Sequence, residues 1–168
     1  MQVSIAQIAP VWLQKQPTIS KICSFIEHAG KEKSKLVVFG EALLPGYPFW
    51  VSNTDGGRFE SEVQKELYAH YVMNSICVEE GELEQIQKLA KEQQINVYVG
   101  VMERAKDRGG HSLYCSLVYI NEHGNIGSIH RKLQPTYEER LVWAQGDGNG
   151  LKVHQLGCLL YTSDAADD

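Results

Sequence analysis

Glu41 follows Gly40 at the end of a continuous apolar run, Leu36-Val37-Val38-Phe39. Such a run reads as a strand buried on both faces. Open α/β sheets collect their sites beyond the carboxyl ends of strands. A carboxylate placed there, shielded by the apolar residues of the following loop, suits proton transfer. The plain alternative is a glutamate that caps a helix or braces the loop. His130-Arg131-Lys132-Leu133 is the second candidate. Three cations in a row on an edge strand usually deter aggregation. Alternation, however, puts His130 and Lys132 on one face, and a Lys132 turned inward needs an acidic partner. Glu138 and Glu139, a few residues on, could supply it.

Other signals carry less. Gly146-Asp147-Gly148-Asn149-Gly150 has the look of a phosphate or calcium loop. It lacks the GK[ST] of a P-loop and the closing glutamate of an EF-hand, so it reads as a turn. The 6 histidines show neither HxH nor HExxH spacing, so no metal site is expected. Cys23, on an apolar helix face, and Cys115, in mid-strand, read as small core residues.

The elements that must position these groups follow from periodicity. Met1–Ala9 alternates as a strand that Pro10 ends. Pro17-Thr18 opens a helix to about Lys33, with Ile19, Ile22, Ile26 and Ala29 on one face. Leu36–Phe39 completes a βαβ unit with parallel pairing. The loop from Gly40 to Arg58 is too apolar to be merely solvated and is expected to pack over something. Helices at 59–74 and 79–93 come next, then a strand from Ile95 to Met102. A hairpin of Ser112–Ile120 and Ile126–His130 turns through Asn121–Asn125. A last strand spans Leu151–Leu156. The expectation is an α/β fold with a mixed sheet.

Composition bounds the function. The 168 residues are 43% hydrophobic and 22% charged, as in a folded globular protein. With 16 basic against 21 acidic residues, a net charge of −5, the chain is a poor partner for nucleic acid. No apolar stretch approaches the roughly 20 residues that cross a bilayer. No basic-then-apolar leader stands at the N-terminus. The 4 cysteines form no CxxC pair, which argues against a disulfide scaffold and fits a reducing cytoplasm.

Two blocks, taken together, resemble the nitrilase branch of the carbon–nitrogen hydrolase family. The first is Val37-Val38-Phe39-Gly40-Glu41-Ala42-Leu43-Leu44-Pro45-Gly46-Tyr47-Pro48. The second runs from His130 through Arg131, Lys132, Leu133, Gln134, Pro135, Thr136, Tyr137, Glu138 and Glu139 to Trp143, and on into Gln145-Gly146-Asp147-Gly148. The resemblance covers residues 1–157. It implies a four-layer αββα sandwich carrying a Glu–Lys–Cys triad, without a cofactor or metal. By motif, Glu41 matches the general base and Lys132 the lysine that stabilises the tetrahedral intermediate. Glu139 matches the second glutamate, which holds that lysine. Tyr47, Trp50 and Tyr137 are expected to line the substrate pocket, the alternative being that they pack the loop. The implied reaction takes a small nitrile to a carboxylic acid and ammonia, in a protein that assembles as a homo-oligomer. An amidase or carbamoyl-hydrolase of the same family, and a catalytically dead binding module, are the competing readings.

Three departures stand out. Gly40 replaces the usual proline before the glutamate, and Ala144 a commoner glycine. The third is larger. Cys158 arrives early and lacks the Trp-Glu that follows the family's nucleophile, so it is not assigned that role. Cys158–Asp168 reads like a translated sequencing adapter. The expectation is therefore an N-terminal part of a hydrolase domain over 1–157, a foreign tail over 158–168, and no activity in the chain as it stands.

Overall fold

The computed structural model describes residues 1–157 and, by backbone alone, 159–161. The stretch read as a foreign tail, Cys158–Asp168, lies outside the described residues apart from that backbone. Parallel pairing of β1 (Val3–Ala6) with β2 (Leu36–Phe39) closes the expected βαβ unit through α1 (Lys15–Lys31). The helix begins two residues ahead of Pro17. This is tolerated because first-turn amides have no helical partner to lose. Its stripe of Thr18, Ile19, Ile22, Ile26 and Ala29 is buried.

The apolar loop after β2 is not structureless: it holds a single helical turn, α2 (Trp50–Asn53). The helix α3 (Glu62–Asn74) follows, capped by Ser61, whose hydroxyl accepts from the Gln64 amide. The helix expected over 79–93 is split. A 3₁₀ turn, Val78–Glu80, ends at Gly81 with a positive φ of 76°, and only then does α4 (Glu84–Gln93) begin. The strands β3 (Asn96–Arg104), β4 (Leu113–Ile120) and β5 (Ile126–Arg131) complete a five-stranded sheet in the order β1-β2-β3-β4-β5. The β2–β3 pair is parallel, and the β3–β4 and β4–β5 pairs are antiparallel. The last strand is shorter than expected. Gly148–Gly150 forms a 3₁₀ turn, leaving β6 (His154–Leu156) to pair with β7 (Leu159–Tyr161) in a separate two-stranded ladder.

One face of the sheet packs against α1 and α4 through Val37, Phe39, Val97, Val99, Val101, Val118 and Ile120. The opposite face carries Leu36, Tyr98 and Tyr119, covered in part by Leu156. Among the described residues this makes one helical layer on one sheet. At the carboxyl ends of β1–β3 a second core gathers Trp50, Val51, Tyr71, Met102, Leu113, Cys115, Val142 and Trp143. That core is the platform on which the candidate residues stand.

Candidate active site

Glu41 leaves β2 where the chain crosses close over β3. A Cβ at Gly100 would lie 2.3 Å from the Gly40 carbonyl oxygen and 2.8 Å from the Glu41 Cα, so this approach requires glycine on β3. The loop is then stitched back to the sheet. The Leu44 amide donates to Gly100 O at 3.1 Å, and the Met102 amide to Leu44 O at 2.8 Å. Ala42 adopts φ 53°, an uncommon left-handed conformation for a non-glycine residue, directly after the carboxylate. Shielding of Glu41 by the loop does not hold: its side chain is 52% exposed and borders a cleft of about 520 Å³. Ala42, Leu43, Leu44, Trp50 and Val51 turn inward to the core and leave the carboxylate at the rim.

Lys132 follows the last residue of β5. The register pairs Ser116 with Arg131 and Leu117 with His130, so Lys132 and His130 share one face and Arg131 takes the other. The Lys132 amide donates to Cys115 O at 2.7 Å, which extends the ladder by one residue. The usual reading of three strand-end cations as a solvated edge fails here. His130 is buried, and Arg131 donates to both oxygens of the buried Glu103, at 2.6 and 2.9 Å, and to Asp147 at 3.1 Å. Asp147 also accepts from the Asn149 amide at 3.0 Å. The Gly146–Gly150 segment is thus a braced turn, and no cluster suited to a metal ion exists among the described residues.

The Lys132 Nζ lies 2.9 Å from Glu41 Oε1 and 3.2 Å from Glu139 Oε2, with its side chain 14% exposed. Burial pulls the ammonium down. Hydrogen bonds and charge from the two carboxylates outweigh it and hold the group above its ordinary value. Glu139 sits in a 3₁₀ turn, Tyr137–Leu141, and reaches back to its own start. Its Oε2 accepts from the Thr136 amide at 2.8 Å and hydroxyl at 3.1 Å, and its Oε1 from the Tyr47 hydroxyl at 3.2 Å. Burial pushes this carboxyl up, but the Thr136 amide and Lys132 outweigh it and leave it below its ordinary value. Glu138, the other candidate partner, faces solvent.

The three expected pocket aromatics part company. Tyr47 borders the cleft, and burial followed by the charge of Glu139 pushes its phenol up to about 12, keeping it a donor. Trp50 is buried and packs edge-on against Tyr71 at 6.3 Å, under the site rather than in it. Tyr137 is 87% exposed, because its turn points it away from the platform.

One neighbour escaped sequence reading. Cys115 is indeed buried, but its Sγ donates to Glu41 Oε1 at 3.4 Å. Burial first, then the charge of Glu41, drives this thiol far up, so it is neutral. Counting back along the hairpin from Lys132 would have found it. A register shift between Tyr119 and Ile120 defeats that count.

The arrangement therefore offers a carboxylate with one oxygen held and one free, beside a lysine fixed as a cation. That pairing can accept a proton and stabilise developing negative charge. The family model for carbon–nitrogen hydrolases matches residues 2–159. The chain belongs to the carbon–nitrogen hydrolase family. It is 34% identical over 153 residues to Nitrilase 2 of an unknown prokaryotic organism, covering 91% of this chain and 47% of that protein. It is 36% identical over 152 residues to an arylacetonitrilase of Hypocrea virens, covering 90% and 43%. The chain thus spans about half the length of the curated relatives it matches. Among solved structures, an amidase from a Nesterenkonia species superposes with a TM-score of 0.67 at 16% identity, over 96% of this chain and 54% of that one. A carbon–nitrogen hydrolase from Helicobacter pylori G27 gives 0.59 at 22% identity, over 88% and 45%. The mixed α/β fold is that of carbon–nitrogen hydrolases, and the described residues build one five-stranded sheet with one helical layer, besides the short β6–β7 ladder.

Proposed function

We propose that residues 1–157 are the N-terminal part of a nitrilase, carrying the base and the lysine of its catalytic site. The observation that supports this most is the hydrogen-bonded chain Glu41–Lys132–Glu139 at the strand ends, with Glu139 itself tied down by Thr136 and Tyr47. The names of the relatives, nitrilase and arylacetonitrilase, favour this reading over an amidase or carbamoyl-hydrolase.

In this reading the nucleophilic cysteine comes from sequence beyond Gly157 in the whole protein. Glu41 takes its proton on Oε2, the oxygen not engaged by Lys132 and Cys115. The thiolate adds to the nitrile carbon, and the thioimidate nitrogen gains that proton. Water, activated by Glu41, adds next. Lys132 stabilises the tetrahedral charge, and ammonia leaves a thioester. A second water releases the carboxylic acid and restores the thiol, so one nitrile consumes two waters. Cys115 does not substitute for the missing nucleophile. It is a neutral, buried thiol donating to the very base that would have to deprotonate it. The 168-residue chain alone is therefore inactive.

The native coding sequence past Gly157 and ammonia release by its full-length product test the reading together. Acid and ammonia from nitriles support it, with Lys132→Ala lowering kcat by about 10²–10³-fold. Turnover of amides alone would make the protein an amidase or carbamoyl-hydrolase. A native continuation with no cysteine on the next strand would make it a binding module. Assembly of the full-length protein as a homo-oligomer and its residence in the cytoplasm belong to the same proposal.

A further inference from the structure

The cleft beside Glu41 has an aromatic wall whose rings are held in place although they face solvent. Trp12 stands on the segment after β1 and is 44% exposed, and Phe49 stands just before α2 and is 56% exposed. Both border the cleft with Glu41, Tyr47 and Asn53. The Trp12 indole N–H donates to Tyr47 O at 2.9 Å, and the Leu13 amide donates to Pro45 O at 2.9 Å. These bonds clasp the segment after β1 to the loop after Glu41. Gly46 makes the clasp possible. Its φ is +133°, and a Cβ there would lie 2.6 Å from Trp12 Cδ1, so the indole lies flush on bare backbone. Phe49 leans on Tyr47 with ring centroids 4.8 Å apart, and Tyr47 meets Trp143 edge-on at 5.5 Å. The wall thus runs without a break from the surface to the second core.

Aromatic rings exposed to water and yet fixed by hydrogen bonds and packing are preorganised to accept another ring at low entropic cost. The cleft, at about 520 Å³, falls within the range of small-molecule sites. We infer that Trp12 and Phe49 select the substrate: they take an aryl group borne by the nitrile and set its reactive carbon beside Glu41. The inference rests on the nitrilase reading and names its substrate class. A short aliphatic chain would leave both rings wet and gain little from them.

Binding to the 168-residue chain tests this without turnover. The chain has 3 tryptophans, and the indole N–H resonance of each reports its surroundings by nuclear magnetic resonance. Phenylacetonitrile is expected to shift the Trp12 resonance and leave those of the buried Trp50 and Trp143. Butyronitrile at the same concentration is expected to leave all three in place. Phe49→Leu and Trp12→Leu should each weaken phenylacetonitrile binding about tenfold. Trp12→Phe, which keeps a ring on the wall, should restore most of it. Binding by Phe49→Leu is read from the Trp12 indole resonance, and binding by Trp12→Leu and Trp12→Phe from the Phe49 ring signals and ligand line broadening, with circular dichroism showing that each variant keeps its fold. Equal shifts from the two nitriles, no shift from either, or full affinity in both leucine variants would overturn the inference. The nitrilase reading fails separately. A full-length protein that hydrolyses only amides would sink that reading while aryl binding at Trp12 stood.

Discussion

At the scale of single residues the site is a contest between burial and pairing, and its two most buried groups end on opposite sides. Cys115 loses: burial and the charge of Glu41 outweigh the pull of Lys132, and the thiol stays protonated beside Glu41. Iodoacetamide at pH 8 should therefore label half-buried Cys23 in the native chain and reach Cys115 only on unfolding, at least about a hundredfold more slowly by peptide mass mapping. Native labelling of Cys115 as fast as Cys23 would show that the thiol is open and reactive. Glu139 wins. Its folded pKa lies below the unfolded value of about 4.3, so its ionised form adds stability above that pH, lost as pH falls through the folded value. Glu139→Gln should then lower the urea midpoint near neutrality, while the gap to the parent chain closes below about pH 4. A gap independent of pH would mean that the carboxylate charge plays no part. Lys132 gives the mirror case. Its folded pKa is raised, so its contribution is complete below the unfolded value of about 10.4 and fades as pH rises through the folded one.

At the scale of elements, a glycine just after β2 and one within β3 answer opposite needs. Gly100 is where β3 must be bare, because any Cβ would strike the backbone of Gly40 and Glu41. Gly100→Ala is expected to cost about 1–3 kcal/mol by overpacking and to displace Glu41 from Lys132. A Cβ at Gly40 would meet no heavy atom within 4 Å, and the residue has no positive φ, so Gly40→Ala should stabilise by about 0.4–1 kcal/mol through the unfolded chain. Urea unfolding of both variants checks the pair, and equal effects would refute the distinction. Neither need could be read from the sequence, since both glycines look alike in an apolar strand context. What could be read was local: the run Leu36–Phe39, the α1 stripe and the hairpin turn each carry their own periodicity. Missed features were those fixed by contacts distant in sequence. Gly81 splits the expected long helix, Trp50 drops beneath the site onto Tyr71, and Arg131 turns from the solvent to Glu103. An acid near Lys132 was legible because a cation turned inward demands one, but only the family resemblance picked Glu139 over Glu138, and the Cys115 contact rests on a register that a bulge shifts.

At the scale of the whole molecule, the sheet is dressed unequally. Helices cover one face, and on the other an apolar stripe runs from β1 inward. Val3 pairs with Leu36 and Ile5 with Val38, which places Val3 and Ile5 on the face opposite the helices. They are 41% and 82% exposed, Val38 is half-buried, and β1 is the edge of the sheet. Among the described residues β1 has a partner on one side only, and an open strand edge that also bears exposed Val and Ile offers both backbone hydrogen bonds and apolar surface to a second sheet. The 168-residue chain should self-associate through this face at micromolar concentration. Ile5→Lys puts a charge on the stripe without touching the helix-facing core, so it should shift the population toward monomer in sedimentation velocity while far-ultraviolet circular dichroism stays unchanged. A lysine at exposed Phe59, which lies outside the sheet, is the control and should leave association as it was. If Phe59→Lys disperses the chain and Ile5→Lys does not, association runs through the loop that bears the site, and the sheet face is not what holds the copies together.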